Sequence, residues 1–338
     1  MTAKVKAKEF DISSAIYTPA EVAKYATQQV EFIQANKYRA LKFFIPGIDQ
    51  YFAPLLPGQV CAVIAQASNY KSGCLHAWEY AAAQQLQREG REDEVIVHVS
   101  VEEAVEEQAY LLFGIETGED AGDIARGQVQ DWDKLYQAAI RVGNIPIYRI
   151  GDSLARAEDF PNLYLSNMVR SIKFMRDELL GEKLKIAAIF FDYLQAFPFD
   201  PEVRQYGNKE MQRRLQVRED IYRLRQAAAF FNCPVIVGVQ AKQNLNGAPS
   251  QSMYIPGIYD GEESSAIAQR CDRIFQLWMP KMNWPLNSQI EYKDIRYTVD
   301  ENLLWLKVGK QRGRLPSGKS WKCRIDFAKN VILQEAGL

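Results

Sequence analysis

Three segments of this chain, GQVCAVIA (58–65), KIAAIFFDYLQ (185–195) and PVIVGVQ (234–240), hold apolar runs with no polar alternation. A strand with one wet face alternates apolar and polar side chains, so an unbroken run needs cover on both faces. Helical patterns fill residues 72–88, 101–114, 161–181 and 209–232. EVIVHVS (94–100), IPIYRI (145–150) and RIFQLWM (273–279) read as further strands. LLWLKVGKQ (303–311) and WKCRIDF (321–327) follow with no helix between them. The alternation predicts an α/β fold: a mostly parallel twisted sheet, helices on both faces, and an antiparallel C-terminal edge hairpin.

Ahead of this lies TPAEVAKYATQQVEFIQANK (18–37), with Thr18 as N-cap, Pro19 at the first helical position and Glu21 closing a capping box. Val22, Tyr25, Val30 and Ile33 form an apolar stripe, so an amphipathic helix should run to about Asn36 after a flexible arm over 1–17. The stripe packs on the chain's own core or on a neighbouring subunit. The expected division is 1–40, arm and helix, and 41–338, main domain. No apolar stretch approaches the roughly 18 residues of a membrane span, and the N-terminus carries no signal-peptide run. The expected location is the cytoplasm.

Lys plus Arg, 41, nearly balances Asp plus Glu, 42, so a nucleic-acid surface must be a local patch. Cys61, Cys74, Cys233, Cys271 and Cys323 are dispersed, which suits buried thiols in a reducing compartment. His76 and His98 are the only histidines, which argues against a histidine-based metal site; His98 reads as a packed or edge residue.

Between the first strand and its helix stands AQASNYKS (65–72). It has the length and the Lys-Ser ending of a phosphate-binding loop, G-x-x-x-x-G-K-[ST], but neither glycine. In such a loop, backbone N–H groups at the helix N-terminus cradle the phosphates, the lysine reaches the β/γ-phosphates and the hydroxyl ligates Mg²⁺. That assigns Ser68, Asn69, Tyr70, Lys71, Ser72 and Gly73 to nucleotide binding, with Ser72 also a metal ligand. An ordinary strand–helix turn explains the match as well while it stands alone. The run AAIFFD (187–192) then ends a strand on Asp192, the layout of a metal-holding aspartate.

Here the sequence resembles a known family. FFDYLQAF is similar to the I-D-Y-L-Q-L segment of DnaB-type replicative helicases, the ring-forming branch of RecA-like ATPases. Their loop often reads A-x-P-S-x-G-K-T, which Ala65 and Ser68 fit and Tyr70 does not. HVSVEEA resembles the S-L-E-M-S strand end, which carries the catalytic role to Glu102, with Glu103 beside it. NCPVIVGVQ resembles the Ser-Gln sensor strand and maps the sensor to Gln240. DGEESSAIAQRCDRI and KVGKQRGRLPSG follow, the latter similar to a hairpin whose Lys and Arg reach a neighbouring subunit's nucleotide, here Lys310 and Arg312. The resemblance implies a RecA-like P-loop NTPase core over 41–338, with ATP and Mg²⁺ as cofactors and a linker-type role for the 18–37 helix. It further implies a homo-oligomer, a hexameric ring or a helical filament. Glu262, Ser265 and Gln243 depart from the family pattern. With only about 40 residues ahead of the core, a divergent member lacking the primase-binding domain is expected.

Single-stranded DNA is the implied partner. EVRQYGNKEMQRRLQVREDIYRLR (202–225) lies where DnaB-like rings place a DNA-facing loop, which offers Arg204, Lys209, Arg213 and Arg214. A plain surface helix explains this segment almost as well. Residues 307–325 add seven basic side chains and Trp321 without an acid. MNWPL (282–286) reads as an insertion, a partner surface or a covering loop. The leading expectation is an oligomeric ATPase acting on single-stranded DNA as a helicase or translocase. The alternatives are a non-hydrolysing scaffold whose loop Tyr70 closes, and a regulatory ATPase acting on proteins.

Overall fold

The computed structural model describes residues 16–36, 40–51, 54–154, 163–181, 184–201, 209–242, 255–261, 265–292, 295–312 and 317–335. The chain divides into two compact units, Met1–Ala40 and Leu41–Leu338. In the first, helix α1 (Pro19–Asn36) starts as its sequence dictates. The Thr18 N–H donates to Glu21 Oε2 at 2.8 Å, and the Glu21 N–H donates to Thr18 Oγ1 at 3.3 Å. Val22, Tyr25 and Val30 of its apolar stripe are 55%, 50% and 63% exposed.

The second unit is built on a nine-stranded sheet. A short helix α2 (Pro46–Tyr51) precedes β1 (Val60–Ala65), α3 (Lys71–Arg88) and β2 (Glu94–Ser100). Helices α4 (Val105–Thr117), α5 (Ala121–Ala125) and α6 (Trp132–Gly143) lead to β3 (Ile147–Ile150). Then come α7 (Leu165–Phe174), β4 (Lys185–Asp192), α8 (Lys209–Phe230), β5 (Val235–Gln240), α9 (Ala266–Arg270) and β6 (Arg273–Trp278). Strands β7 (Gln289–Tyr292), β8 (Ile295–Thr298), β9 (Leu303–Gln311), β10 (Ser320–Asp326) and β11 (Val331–Gln334) close the chain. The sheet order is β11-β10-β9-β6-β1-β5-β4-β2-β3. The six strands from β6 to β3 run parallel, and β9, β10 and β11 are antiparallel.

Successive residues of the central strands point to opposite faces, and both faces are dry, as the unbroken apolar runs require. On one face Ile64, Val97, Phe191 and Val237 pack with Ile172 of α7 and Ile221 and Leu224 of α8. On the other, Val63, Ile96, Phe190 and Ile236 pack with Leu75, Trp78 and Leu86 of α3. All five cysteines are buried. No helix of the described residues is long and apolar enough to cross a membrane.

Three features add detail to the expectations. The C-terminal edge has three antiparallel strands, because β11 pairs with β10 beyond the expected hairpin. The helical stretch expected over 161–181 is α7 continued by a π-helical turn, Met175–Leu180. The insertion around MNWPL carries its own two-stranded sheet, β7 with β8. It covers a third core cluster of Trp278, Trp305, Ile290 and Tyr297, in which Trp278 and Trp305 are register partners on β6 and β9. The insertion is therefore a covering element, and the Trp278 Nε1–H donates to Asn283 Oδ1 at 2.7 Å to hold it.

The helix-covered faces are locked by aromatic contacts. Phe275 meets Phe43 at 4.9 Å and Trp78 at 5.2 Å between ring centroids, and it is fully buried. Phe275→Ala should therefore cost about 3–5 kcal/mol, the range for deleting a buried aromatic side chain, read as a lower urea midpoint at unchanged m-value.

Candidate nucleotide-binding site

In a parallel sheet the strands' C-terminal ends share one edge, where ligands bind in the crevice beyond them. Here Ala65 of β1 is in register with Gln240 of β5, and Ser100 of β2 with Asp192 of β4. A cleft of about 540 Å³ lies over this edge, lined by Ser68, Lys71, Ser72, Glu102, Tyr193 and Gln240 among others.

The loop between β1 and α3 is held by hydrogen bonds at Asn69 and Gln66. Asn69 is buried; its Nδ2–H donates to Ala67 O at 3.0 Å, and its Oδ1 accepts from the Met279 N–H at 2.8 Å. Gln66 Nε2–H donates to Lys242 O at 3.2 Å. Ser68 and Tyr70 both adopt left-handed backbone, φ 61° and 63°. Tyr70 therefore takes the conformation that the missing glycine of the pattern would supply, at a cost of roughly 1–2 kcal/mol for a residue bearing a Cβ.

The Tyr70 ring turns back along α3, with its edge where a Cβ on Gly73 would stand, 2.2 Å from Tyr70 Cε2. It meets Phe327 edge-on at 5.8 Å, and its hydroxyl donates to Asn330 Oδ1 in the turn between β10 and β11. The ring thus forms part of the cleft wall beside the first turn of α3. No side chain caps the amides of that turn, and these are the groups a phosphate accepts from.

Lys71 is buried, with its ammonium 3.2 Å from the centroid of the Tyr193 ring and its Nζ–H donating to Gln240 Oε1 at 3.4 Å. Burial pulls it below the ordinary lysine range, against the opposing charges of Asp192, Glu102 and Glu103. Asp192 is fully buried, and neither carboxylate oxygen has a hydrogen-bond partner among the described residues. A dry, unsatisfied carboxylate suits a hard cation that takes oxygen ligands, as a serine hydroxyl does. The donor set of Ser72 and Asp192 therefore fits Mg²⁺. Glu102 is exposed into the cleft; partial burial, then the charges of Asp192 and Glu103, push its carboxyl above the ordinary range, while Lys71 opposes them.

Tyr193 and Gln195 also belong to the site: Tyr193 lines the cleft, and Gln195 holds Gln240. Gln195 grips the backbone of Gln240 twice: its Nε2–H donates to Gln240 O at 3.2 Å, and its Oε1 accepts from the Gln240 N–H at 3.0 Å. Their signal was the FFDYLQAF segment itself, whose Tyr and Gln follow the aspartate.

Lys310 and Arg312 are not in this cleft. They stand at or just beyond the C-terminal end of β9, which runs antiparallel to β6, with Gln311 in register with Arg273 at the start of β6. That is the opposite edge of the sheet. Lys310 donates to Ala268 O and Gln269 O, and Arg312 donates to Gln269 O at 2.7 Å and pairs with Asp272 at 3.2 Å.

Of the nucleic-acid candidates, Arg204 and the Lys209 side chain lie outside the described residues, as do Gln243, Glu262 and Arg314. Arg213 donates to the carbonyls of Phe197, at 3.0 Å, and Gln195, so it braces the segment after β4. Arg214 lines a second cleft of about 560 Å³ with Arg218, Lys242, Tyr259 and Arg270, and no acidic side chain lines it among the described residues, which leave out Glu262 and Glu263 between the lining residues Gly261 and Ser265. Among the basic residues of 307–325, Lys322 and Arg324 are paired to Glu335 at 2.6 and 3.0 Å.

A family model described as DnaB-like helicase C terminal domain matches residues 43–332. No curated protein matches the sequence. Among solved structures, "The Structure Of A DnaB-Like Replicative Helicase And Its Interactions With Primase" is similar at TM-score 0.69 and 14% identity, over 94% of this chain and 67% of that one. A second solved structure, described as an ATPase domain, is similar at TM-score 0.68 and 15% identity, over 94% of this chain and all of that one, 100%. These likenesses carry the RecA-like fold with its antiparallel edge.

The interlock of Tyr70 and Gly73 has a direct test. Gly73→Ala puts a methyl into the ring and should cost about 1–3 kcal/mol, as overpacking does. In a Tyr70→Gly background the same change should be neutral or stabilising, because the ring is gone and alanine suits a helix. Equal effects in the two backgrounds, read by thermal unfolding, contradict the interlock.

Proposed function

We propose, for a chain that belongs to the DnaB-like helicase C-terminal domain family, an oligomeric ATPase that couples ATP binding and hydrolysis to single-stranded DNA binding or translocation in DNA replication, recombination or repair. The observation that carries the proposal is the meeting of uncapped α3 amides, Lys71 and Glu102 in one cleft, with the buried, unsatisfied Asp192 carboxylate close enough to act electrostatically on both Lys71 and Glu102. The placement of Tyr70 against Gly73 and Asn330 supports it over a scaffold with a closed loop.

Each group has a defined task in phosphoryl transfer to water. The α3 amides and Lys71 bind the β- and γ-phosphates. Ser72 and Asp192 would hold Mg²⁺, which would supply positive charge against the negative charge that develops on the phosphate. Glu102 accepts the proton of the attacking water, and its raised carboxyl brings its basicity toward what a general base needs. Gln240 contacts Lys71 and is joined through Gln195 to the end of β4, so it is placed to sense the γ-phosphate. Lys310 and Arg312 sit on the far edge of the sheet, where a neighbouring copy's cleft is the site they can serve. The exposed stripes of α1 (Val22, Tyr25, Val30) and of α6 (Trp132, Tyr136, Ile140) give such an assembly apolar surface to bury.

Support for single-stranded DNA comes from the cleft lined by Arg214, Arg218, Lys242 and Arg270. Four cations suit a phosphate backbone, and Tyr259, 65% exposed, offers a stacking face. The Gln66–Lys242 hydrogen bond joins this cleft to the phosphate loop, a path from nucleotide state to DNA grip.

Titration calorimetry with ATP–Mg²⁺ should show binding to the wild type and its loss in Lys71→Ala; no binding by the wild type ends the ATPase reading. Arg312→Ala should bind ATP like the wild type yet lose hydrolysis about 10³-fold or more, as when an arginine finger is removed. Mixing Arg312→Ala with Lys71→Ala should restore part of the turnover, because one composite site in a mixed assembly is intact. Parallel loss of binding and hydrolysis in Arg312→Ala, or no recovery on mixing, contradicts action in trans. Arg218→Ala should weaken oligonucleotide binding by fluorescence anisotropy and lower the log–log salt slope by about 0.7, one single-strand phosphate contact.

A further inference from the structure

The chain's two histidines, on different elements, are stacked on one another at 4.8 Å beside the nucleotide cleft. His76 lies one turn into α3, on from the phosphate loop, and is buried. Both its ring nitrogens face carboxylates: Nδ1 is 3.0 Å from Glu79 Oε1, and Nε2 is 2.9 Å from Glu103 Oε2. Ionised carboxylates only accept, so both nitrogens carry protons and the ring is a buried cation. Burial alone would lower its proton affinity, but Glu103 and Glu79 together raise it, to a pKa of about 10.

The contacts close on themselves. Glu79, fully buried on α3, accepts from Arg149 of β3 at 3.0 Å and faces His98 of β2. Arg149 also donates to Gln108 Oε1 on α4. Gln108 Nε2–H then donates to the carbonyl of Glu103 at 3.1 Å. The circuit runs from the Glu103 carboxylate through His76, Glu79, Arg149 and Gln108 and returns to the Glu103 backbone, so Glu103 is held at both ends. Ser100 Oγ adds acceptors for the N–H groups of Glu102 and Glu103, at 3.3 and 3.1 Å. Atoms of His76, Glu103 and Asp192 lie within 4.8 Å of one another, so the same anchor borders the aspartate that we assign to the metal.

We propose that His76 is a positioning residue for hydrolysis: through Glu103 it ties the start of the phosphate-loop helix to the 101–104 turn and thereby aims Glu102 at the γ-phosphate. The proposal rests on the ATPase reading and on Glu102 as its base. The alternative use of the cluster, a metal held by His76, Glu79 and His98, is disfavoured on physical grounds. Arg149 already sits on Glu79 and a cation there would have to displace or face it. The two rings also lie parallel, 15° apart, and address different oxygens of one carboxylate, not one shared point.

A burial-only role and a positioning role separate in steady-state kinetics. Glu103 is partly exposed, so Glu103→Ala should fold even if a change at His76 does not. Glu103→Ala and His76→Gln should each lower kcat about tenfold to a hundredfold, the effect of misplacing a reacting group by about an ångström, with the KM for ATP within about twofold. Glu103→Gln keeps an acceptor for the His76 Nε2–H and should retain most of the wild-type kcat. The double variant should turn over no more slowly than its slower parent, since both changes break one anchor. Glu102→Gln is the control. If it abolishes turnover while Glu103→Ala keeps the wild-type kcat, or if Glu103→Ala loses ATP affinity and kcat together, the positioning role is overturned and the ATPase reading stands. If Glu102→Gln turns over like the wild type, or the wild type has no turnover, the proposal falls along with the assignment it rests on.

Discussion

Asp192 is the constraint around which the sheet is arranged. A fully buried carboxylate with no hydrogen bond to either oxygen is among the costliest groups a fold can hold, and it persists only with nearby positive charge. Lys71 from the phosphate loop supplies part of that charge, and the protonated His76 ring borders it from one turn further along α3. Gly238 on β5 leaves the space: a Cβ there would stand 3.2 Å from Asp192 Oδ1 and 3.1 Å from Tyr193 Cβ. The strand ends are therefore arranged to keep one carboxylate dry and unmet, which is how a binding site differs from a satisfied core.

Tyr70 shows how a fold absorbs a residue that contradicts its motif. The pattern wants glycine because the backbone must turn left-handed and approach the phosphates. This chain keeps the turn, φ 63°, and lays the side chain against Gly73 in the cleft wall. Gly73 vacates the place where the ring lies, and Phe327 and Asn330 receive its edge and hydroxyl. The local strain is offset by packing that spans from residue 70 to residue 330, so the loop is fastened to the C-terminal strands. A glycine loop has no such tie, and the geometry of the cradle here depends on the β10–β11 turn as well as on its own backbone.

What could be read from the sequence follows from the range of the interactions. The strand runs, the Thr18–Glu21 cap, Lys71 and Asp192 are legible because apolar continuity and motif spacing are local. Tyr193 and Gln195 were visible as a motif, but their tasks depend on Lys71 and Gln240, which are distant in sequence and join them only when β1, β4 and β5 lie side by side. The histidine count bears on a metal site and not on what the two rings meet. Two are few for a metal site, yet α3 and β2 bring both onto Glu79, and pairwise meetings of that kind have no spacing rule. Arg213 looked like a DNA contact because basic residues on a surface helix look alike; whether such a residue meets its own carbonyls or a phosphate is decided by a neighbouring turn.

The topology also makes the two ends of the strands unequal partners. Phosphate loop, Asp192, Glu102 and Gln240 gather at the C-terminal edge of the parallel strands. Because β9 runs back along β6, the KVGKQR segment is delivered to the opposite edge. A strand rises about 3.3 Å per residue, so the length of β6, from Arg273 to Trp278, puts these two groups too far apart for one side chain to bridge. Within one copy, Lys310 and Arg312 rest on the carbonyls at the end of α9 and on Asp272, whose other oxygen accepts from the Val60 N–H at 3.0 Å at the start of β1. The strand that delivers the phosphate loop at its C-terminal end is thus tied at its N-terminal end to the proposed trans-acting arginine.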